Sequence, residues 1–128
     1  MATWADVSRI ALALPQTSEG TSWGNRSWKV KDKSFAFERP LRTTDLAALG
    51  ADAPDGPILG VRTADEGVKQ VLIADDPAVY FTVPHFDGYA AILVLLDRVA
   101  LDELTELLTD AWLLRAPKTL ARDYLGKA

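Results

Sequence analysis

The sequence predicts an α+β fold, with an antiparallel sheet of about five strands and helices packed mainly on one face. Segments 27–31 and 34–39 alternate apolar and polar residues around a short turn, which is typical of a β-hairpin. Other segments repeat apolar residues at helical spacing. The resulting order is helix, hairpin, strand, helix, two strands, helix, helix. Helices and strands in this order favour an antiparallel sheet covered by helices.

The chain has 128 residues, of which 48% are hydrophobic and 25% charged, and none is cysteine. This composition predicts a single globular domain over residues 1–128, without disulfides, thiolate metal sites or a cysteine nucleophile. The N-terminus has no signal-peptide pattern, and the longest apolar run, 89–96, is far shorter than a membrane span. We therefore expect a cytoplasmic protein with no membrane partner.

The first helix is expected to begin at Thr3, with Asp6 completing a shortened capping box, and to stop at Pro15. Residues 16–26 then read as a loop. In the hairpin that follows, Trp28 and Val30 are expected on one face, and the turn is expected at 32–33. The alternation also predicts that Phe35 and Phe37 share one face of the returning strand. Residues 40–57 read as loop, with a short helical turn at 44–49, before a strand at 58–62.

A second helix is predicted at 64–75, because Thr63 and Glu66 have the spacing of a capping box. Strands at 79–83 and 89–96 follow. The second of these is apolar on both faces, so both faces must be covered. Either a loop or a second subunit could supply that cover, which leaves the protein a monomer or a homodimer. Asp102 is expected to cap a third helix, and a fourth is predicted at 117–125.

Charge is distributed unevenly, although the net charge is only −4. Residues 24–42 contain six cations and two acids, whereas residues 43–112 contain thirteen acids and three bases. Cations on a hairpin and on a terminal helix can neutralise phosphates, and they can equally form a solvated edge. The candidate nucleic-acid-binding residues are Arg26, Lys29, Lys31, Lys33, Arg39, Lys118 and Arg122.

The loop at 84–89 holds the only histidine, His85, among aromatic residues. An imidazole there could contact a ligand, act in acid–base chemistry with Asp87 or Glu19, or simply bond a backbone carbonyl. We expect no catalytic residues, because no catalytic motif is visible. We also expect no metal and no cofactor, since one histidine with one carboxylate is an incomplete metal set. The candidate ligand-groove residues are Glu19, Trp23, Phe35, His85 and Tyr89.

Three segments together resemble the MmcQ/YjbR family. They are residues 14–24 with Val30, Lys33, Phe35 and Ala36; residues 76–89; and residues 111–120. The resemblance spans nearly the whole chain. It implies an α+β sandwich similar to frataxin and CyaY, and a role in DNA binding. Ala90 replaces the proline that many relatives have after Gly-Tyr. The first helix has only Asp6 as an acid, which disfavours the iron binding of frataxin-like proteins.

Two functions therefore stand as hypotheses. The first is a non-enzymatic module that binds double-stranded DNA through the basic hairpin and the C-terminal helix. The second is a small-molecule or peptide-binding domain with a groove at the junction of the 16–26 and 84–89 loops.

Overall fold

The sheet is built from short strands, each antiparallel to its neighbours. The computed structural model describes residues 2–22 and 24–126. Within them the strands are β1 (Thr17–Ser22), β2 (Asn25–Val30), β3 (Lys33–Glu38), β4 (Ile58–Arg62), β5 (Tyr80–Phe81) and β6 (Ala91–Leu95). Their order across the sheet is β1-β2-β3-β4-β6-β5. The predicted antiparallel α+β class is confirmed, with six strands in these residues rather than about five.

Strand β1 was not predicted, and the expected loop over 16–26 is wrong for most of its length. Thr17 pairs with Val30 at one end of the ribbon and Ser22 pairs with Asn25 at the other. The strand has no apolar alternation, because it lies at the edge of the sheet and residues 18–21 are exposed. Its backbone hydrogen bonds to β2 stabilise it instead, and these leave no pattern in the side chains.

The hairpin turn lies one residue earlier than expected. Lys31 and Asp32 are its two central residues, with φ values of 49° and 68°. Positive φ at both central positions is the geometry of a type I′ turn, whose twist matches that of the flanking strands. Aspartate tolerates this region better than most residues, and lysine does so at a conformational cost.

A bulge in β3 separates Phe35 from Phe37. Trp28 pairs with Ala36 and Lys29 pairs with Ser34, so Phe35 is an extra residue on its strand. The sheet has a hydrophobic core on each face. Phe35 and Ala36 both enter the larger core, whereas Phe37 packs in the smaller core on the opposite face. The expectation that Phe35 and Phe37 share a face is wrong, because a bulge inverts the alternation beyond it.

Helices cover the first face of the sheet, where the larger core lies. The α-helices of the described residues are α1 (Trp4–Leu12), α2 (Thr43–Leu49), α3 (Glu66–Asp75), α4 (Leu101–Arg115) and α5 (Lys118–Gly126). Val7 of α1 and Leu104, Leu108 and Trp112 of α4 are fully buried in this core. Residues of α3 and α5 pack at its margin. The expected placement of helices mainly on one face is thus observed.

The second face is covered by a smaller cluster. Ile58, Leu93 and Leu95 project from the sheet and pack with Phe86, which belongs to a 3-10 turn at Pro84–Phe86. Leu49 of α2 packs against the same cluster. Strand β6 is therefore apolar on both faces because this chain covers both. The feature that raised the possibility of a second subunit is explained within one chain.

Two predicted helix caps are corrected. Asp65, not Thr63, caps α3, and its Oδ1 accepts from the backbone N–H of Val68 at 2.9 Å. Ala100 occupies the N-cap position of α4, and Asp102 lies inside the first turn. The capping box of Thr3 and Asp6 in α1 forms as expected. Within the described residues, no helix is both long enough and apolar enough to cross a bilayer.

Candidate ligand-binding cleft

A cleft of about 380 Å³ opens on the second face, between the β2–β3 ribbon and the 84–89 loop. It is lined by side chains of opposite charge, small hydroxyls and aromatic rings. The lining residues are Asn25, Ser27, Ser34, Phe37, Glu38, Arg39, Arg42, His85, Phe86 and Tyr89. The β-bulge helps to form this surface, because it places Ser34 and Phe37 on one face although three positions separate them.

Lys69 holds the loop that forms one wall of the cleft. Its side chain is fully buried. Its Nζ donates to the carbonyl oxygens of Phe86 at 2.7 Å and Tyr89 at 3.1 Å. Glu66 provides the counter-charge at 3.4 Å. A buried ammonium is tolerated only when its donors are satisfied, so this arrangement fixes the backbone of the loop.

Aromatic rings line the loop side of the cleft. The ring of Phe86 lies 6.2 Å from that of Phe37 and 5.7 Å from that of Tyr89. His85 meets Phe86 edge-on at 5.2 Å. Arg62 lies 4.7 Å from the centre of the Tyr89 ring, which is 45% exposed. These contacts favour a preformed wall, since cation–π and ring–ring contacts both restrict the side chains.

A buried ion pair lies behind this wall. The Nη1 atom of Arg39 is 2.9 Å from Oδ2 of Asp45, and the two side chains are 6% and 2% exposed. The same Nη1 also donates to the carbonyl oxygen of Pro40 at 2.6 Å. Burial opposes ionisation of Asp45, but the backbone N–H of Arg42 and the Arg39 guanidinium outweigh it and hold the pKa of that carboxyl below its usual value. Asp45 is therefore a carboxylate at neutral pH.

One nitrogen of the Arg39 guanidinium makes no hydrogen bond to the described residues. Its Nη2 is buried and has no hydrogen-bond partner among the described residues. The guanidinium also lies over Phe86, 5.2 Å from the ring centre. A buried donor without an acceptor costs about 1–3 kcal/mol. An acceptor oxygen that reached Nη2 would remove that cost.

The predicted groove residues are only partly assembled. His85 and Tyr89 both line the cleft. Phe35 does not, because the bulge sends it into the core on the other face, where it is fully buried. Glu19 also lies on that other face, where it accepts hydrogen bonds from Ser8 and from Trp28 Nε1. Trp23 lies outside the described residues.

The predicted phosphate-binding cations are dispersed over several surfaces. Arg39 is buried and paired with Asp45, so its place in that set is corrected. Arg26 lies over the Trp4 ring of α1, on the first face, at 5.5 Å. Lys29 pairs with Ser34 in the ribbon and belongs to the second face.

The other four predicted cations are exposed and share one end of the molecule. These residues are Lys31, Lys33, Lys118 and Arg122. The hairpin turn follows Val30, which pairs with Thr17 at the start of β1. Just before β1, the Pro15 carbonyl accepts from Trp112 Nε1 of α4 at 3.0 Å. Gln16 and Arg122 line one surface groove, so α5 reaches the same end as the turn.

Several cleft residues were missed from the sequence. Ser27 and Ser34, whose hydroxyls lie 2.9 Å apart, resemble ordinary outward residues of a hairpin. Arg42 is one of six cations in residues 24–42 and Glu38 is one of two acids there, and no pattern distinguishes either residue. Knowledge of the bulge would have revealed the two serines, because it aligns Ser27, Ser34 and Phe37 on one surface.

No cluster of three or more His, Asp or Glu side chains suited to a metal occurs among the described residues. The cleft instead combines hydrogen-bond donors, acceptors and aromatic surface, which suits recognition of an organic molecule.

A model of the YjbR family matches residues 12–114. This chain belongs to the YjbR family. It is 51% identical over 131 residues to the uncharacterized proteins Rv2570 of Mycobacterium tuberculosis (strain ATCC 25618 / H37Rv) and Mb2600 of Mycobacterium bovis. Each comparison covers 100% of this chain and 99% of the relative.

A solved structure has a similar fold. The crystal structure of DR2400, a Deinococcus radiodurans protein with a DUF419 domain, matches with a TM-score of 0.70 and 23% identity. The match covers 98% of this chain and 89% of the other. The likeness to frataxin and CyaY that the family resemblance implied stays a prediction. All residues that line the cleft lie inside the part matched by the YjbR model, whereas Lys118 and Arg122 lie beyond it.

Proposed function

We propose that this YjbR-family domain is a binding module, without catalysis, that takes a small polar molecule in the cleft between the β2–β3 ribbon and the 84–89 loop. The observation that carries the proposal is Arg39: this residue lines the cleft, its side chain is 6% exposed, and one of its nitrogens is buried without a partner among the described residues. Proteins rarely bury an unsatisfied guanidinium nitrogen without a functional or structural reason.

The form of the cleft supports the same proposal. A volume of about 380 Å³ lies within the range of small-molecule sites, which are roughly 300–1,000 Å³. Such sites combine apolar walls with a few convergent polar groups, as Phe37, Phe86 and Tyr89 do here with Arg42 and His85. The Lys69 contacts pre-organise the wall, which lowers the entropy cost of binding.

The proposal is tested by screening a library of small polar fragments against the isotope-labelled protein by NMR. Saturable shift changes are expected at Ser34, Arg42 and the 84–89 loop. Tyr89→Ala removes an exposed ring from the wall and should weaken the strongest fragment about tenfold, since an aromatic contact contributes on the order of 1 kcal/mol. Val71→Ala, at an exposed position of α3, is the matched control and should change nothing. Shifts that saturate elsewhere, or no saturable shift at all, would overturn the proposal.

Binding of double-stranded DNA, which the family resemblance implies, is the second candidate. It is favoured by the four exposed cations Lys31, Lys33, Lys118 and Arg122, which share one end of the molecule. Asp32 and Asp123 lie among them and lower the local excess of positive charge. Three of the seven predicted cations lie elsewhere, so the candidate surface is smaller than the sequence suggested.

Fluorescence anisotropy with a labelled duplex at increasing salt tests this candidate. If these cations contact phosphates, log K should fall linearly with log salt concentration, with a slope of about −3 to −4. The double variant Lys31→Gln/Arg122→Gln should reduce that slope by about 2. Arg98→Gln removes an exposed cation at another surface and serves as the control. A duplex that does not bind even at low salt rules this candidate out.

A further inference from the structure

We infer that the ligand of the cleft is a small zwitterion, with a carboxylate held by Arg42 and Arg39, an amine held by Glu38, and an apolar body packed on the aromatic wall. This inference rests on the proposed function and gives its ligand a chemical class. Free aromatic amino acids have this combination of groups.

The cationic part of the cleft is suited to one carboxylate. Asp45 already occupies Nη1 of Arg39, which leaves Nη2 as the donor without a partner. Arg42 lines the same cleft with its side chain exposed, and it takes part in none of the ion pairs between described residues. Guanidinium groups bind carboxylates with two parallel hydrogen bonds, so a single carboxylate matches this corner.

The acidic part of the cleft is Glu38. One of its oxygens accepts from the backbone N–H of Arg26 at 3.1 Å. Like Arg42, Glu38 lines the cleft and takes part in no ion pair between described residues. A cation and an acid that do not neutralise each other are both available to a ligand.

These charges select against other ligand classes. A dianion or a polyanion would bring excess negative charge towards Glu38, and a simple cation would meet Arg42. Like-charge contacts of this kind disfavour the wrong partner and so produce specificity. A molecule with one group of each sign satisfies both ends, while its apolar part can pack on Phe37, Phe86 and Tyr89.

The test uses three related probes measured by NMR titration: phenylalanine, phenylalaninamide, which lacks the carboxylate, and N-acetylphenylalanine, which lacks the amine. Phenylalanine is expected to bind at least tenfold more tightly than either derivative. The derivatives also mimic the N-terminal and C-terminal ends of a peptide, so they distinguish a free zwitterion from a peptide terminus.

Two charge-removing variants assign the groups. Arg42→Gln should weaken phenylalanine about tenfold and leave phenylalaninamide unchanged, because the amide has no carboxylate to lose. Glu38→Gln should weaken phenylalanine similarly and leave N-acetylphenylalanine unchanged. Arg98→Gln and Glu106→Gln remove exposed charges at other surfaces and are the matched controls. Circular dichroism and thermal unfolding confirm that each variant is folded.

The inference is overturned if the three probes bind equally, if none binds, or if either variant weakens all probes to the same degree. None of these results overturns the proposed function, because fragments of another chemical class can still bind in the cleft. The fragment screen measures that binding separately. If fragments also fail to shift the cleft, the proposed function fails with it.

Discussion

The Nζ atom of Lys69 lies 2.7 Å from the carbonyl oxygen of Phe86, a residue seventeen positions further along the chain. This contact joins the first turns of α3 to the loop that carries His85 and Tyr89. Because the ammonium is fully buried, its hydrogen bonds are made in a low-dielectric environment, where each is stronger than at the surface. A helix on one side of the sheet thus fixes the shape of a binding wall on the other.

Replacing Lys69 by methionine should loosen that wall. Lys69→Met keeps much of the side-chain volume but removes the ammonium that ties the carbonyls of Phe86 and Tyr89 to α3, and it leaves them only their backbone donors within the loop. We expect a loss of about 2 kcal/mol in the free energy of unfolding, as for other hydrogen bonds to charged groups. Hydrogen exchange should accelerate at residues 86–91. Val71→Ala, at an exposed position of the same helix, is the control. Unchanged hydrogen exchange in the lysine variant would contradict the role assigned to Lys69.

Removing the charge of Asp45 should destabilise the fold more strongly. Asp45→Asn leaves the Arg39 guanidinium buried without its counter-ion, and breaking a buried pair in this way costs about 3–5 kcal/mol. Urea unfolding gives the change directly. Asp6→Asn changes an exposed carboxylate that pairs with Arg9 and completes the capping box of α1, and it should cost less than Asp45→Asn. Equal losses in the two variants would mean that the buried ion pair stabilises the fold no more than the surface pair does.

The same carboxylate predicts how stability depends on pH. The folded-state pKa of Asp45 is lowered relative to the unfolded chain. Its contribution is therefore fully present above the ordinary aspartate pKa of about 3.9 and is lost as pH falls through the lower folded value. Urea unfolding repeated between about pH 5 and pH 2.5 should show a fall in stability that is shallower in Asp45→Asn. Asp6, whose pKa is lowered chiefly by Arg9, acts in the same direction at the surface.

Gly60 is required by the ring that faces it. Phe37 pairs with Gly60 across β3 and β4, and a Cβ on Gly60 would overlap the Phe37 ring. We expect Gly60→Ala to cost about 3 kcal/mol through overpacking. Phe37→Leu in the same chain should recover part of that loss, so the double variant would be more stable than the sum of the single changes predicts.

Gly20→Ala is the matched control for this prediction. Gly20 also lies in a strand, but no atom lies within 4 Å of the position of its Cβ. This change should alter the free energy of unfolding by less than about 0.5 kcal/mol. If Gly60→Ala changes the free energy of unfolding equally little, the Phe37 ring has room to move. The wall of the cleft is then less rigid than its contacts indicate.

Most of the fold followed from patterns in the chain. The first helix is confirmed with its capping box, and strands occur within the predicted segments 58–62, 79–83 and 89–96. The periodic apolar residues made these elements visible, because each buries one side or both against the core. The helices at 64–75 and 117–125 were also placed to within two residues.

The elements that were missed lack such a pattern. Strand β1 forms through backbone pairing at an exposed edge, where side chains carry little information. Tertiary pairing also decided the bulge at Phe35, which no local spacing reveals. Since the bulge determines which side chains face the cleft, His85 and Tyr89 could be selected from the sequence, whereas Ser34, Glu38 and Arg42 could not.

The extra residue in β3 also has a consequence for how this chain can vary. Deleting Phe35 would leave Ser34 and Ala36 paired with Lys29 and Trp28, which are already neighbours, so the ladder would become regular and no other side chain would change face. The larger core would lose a fully buried ring, at a cost of about 3–5 kcal/mol by analogy with phenylalanine-to-alanine changes. We therefore expect relatives to keep a bulky apolar residue at this position of the ribbon.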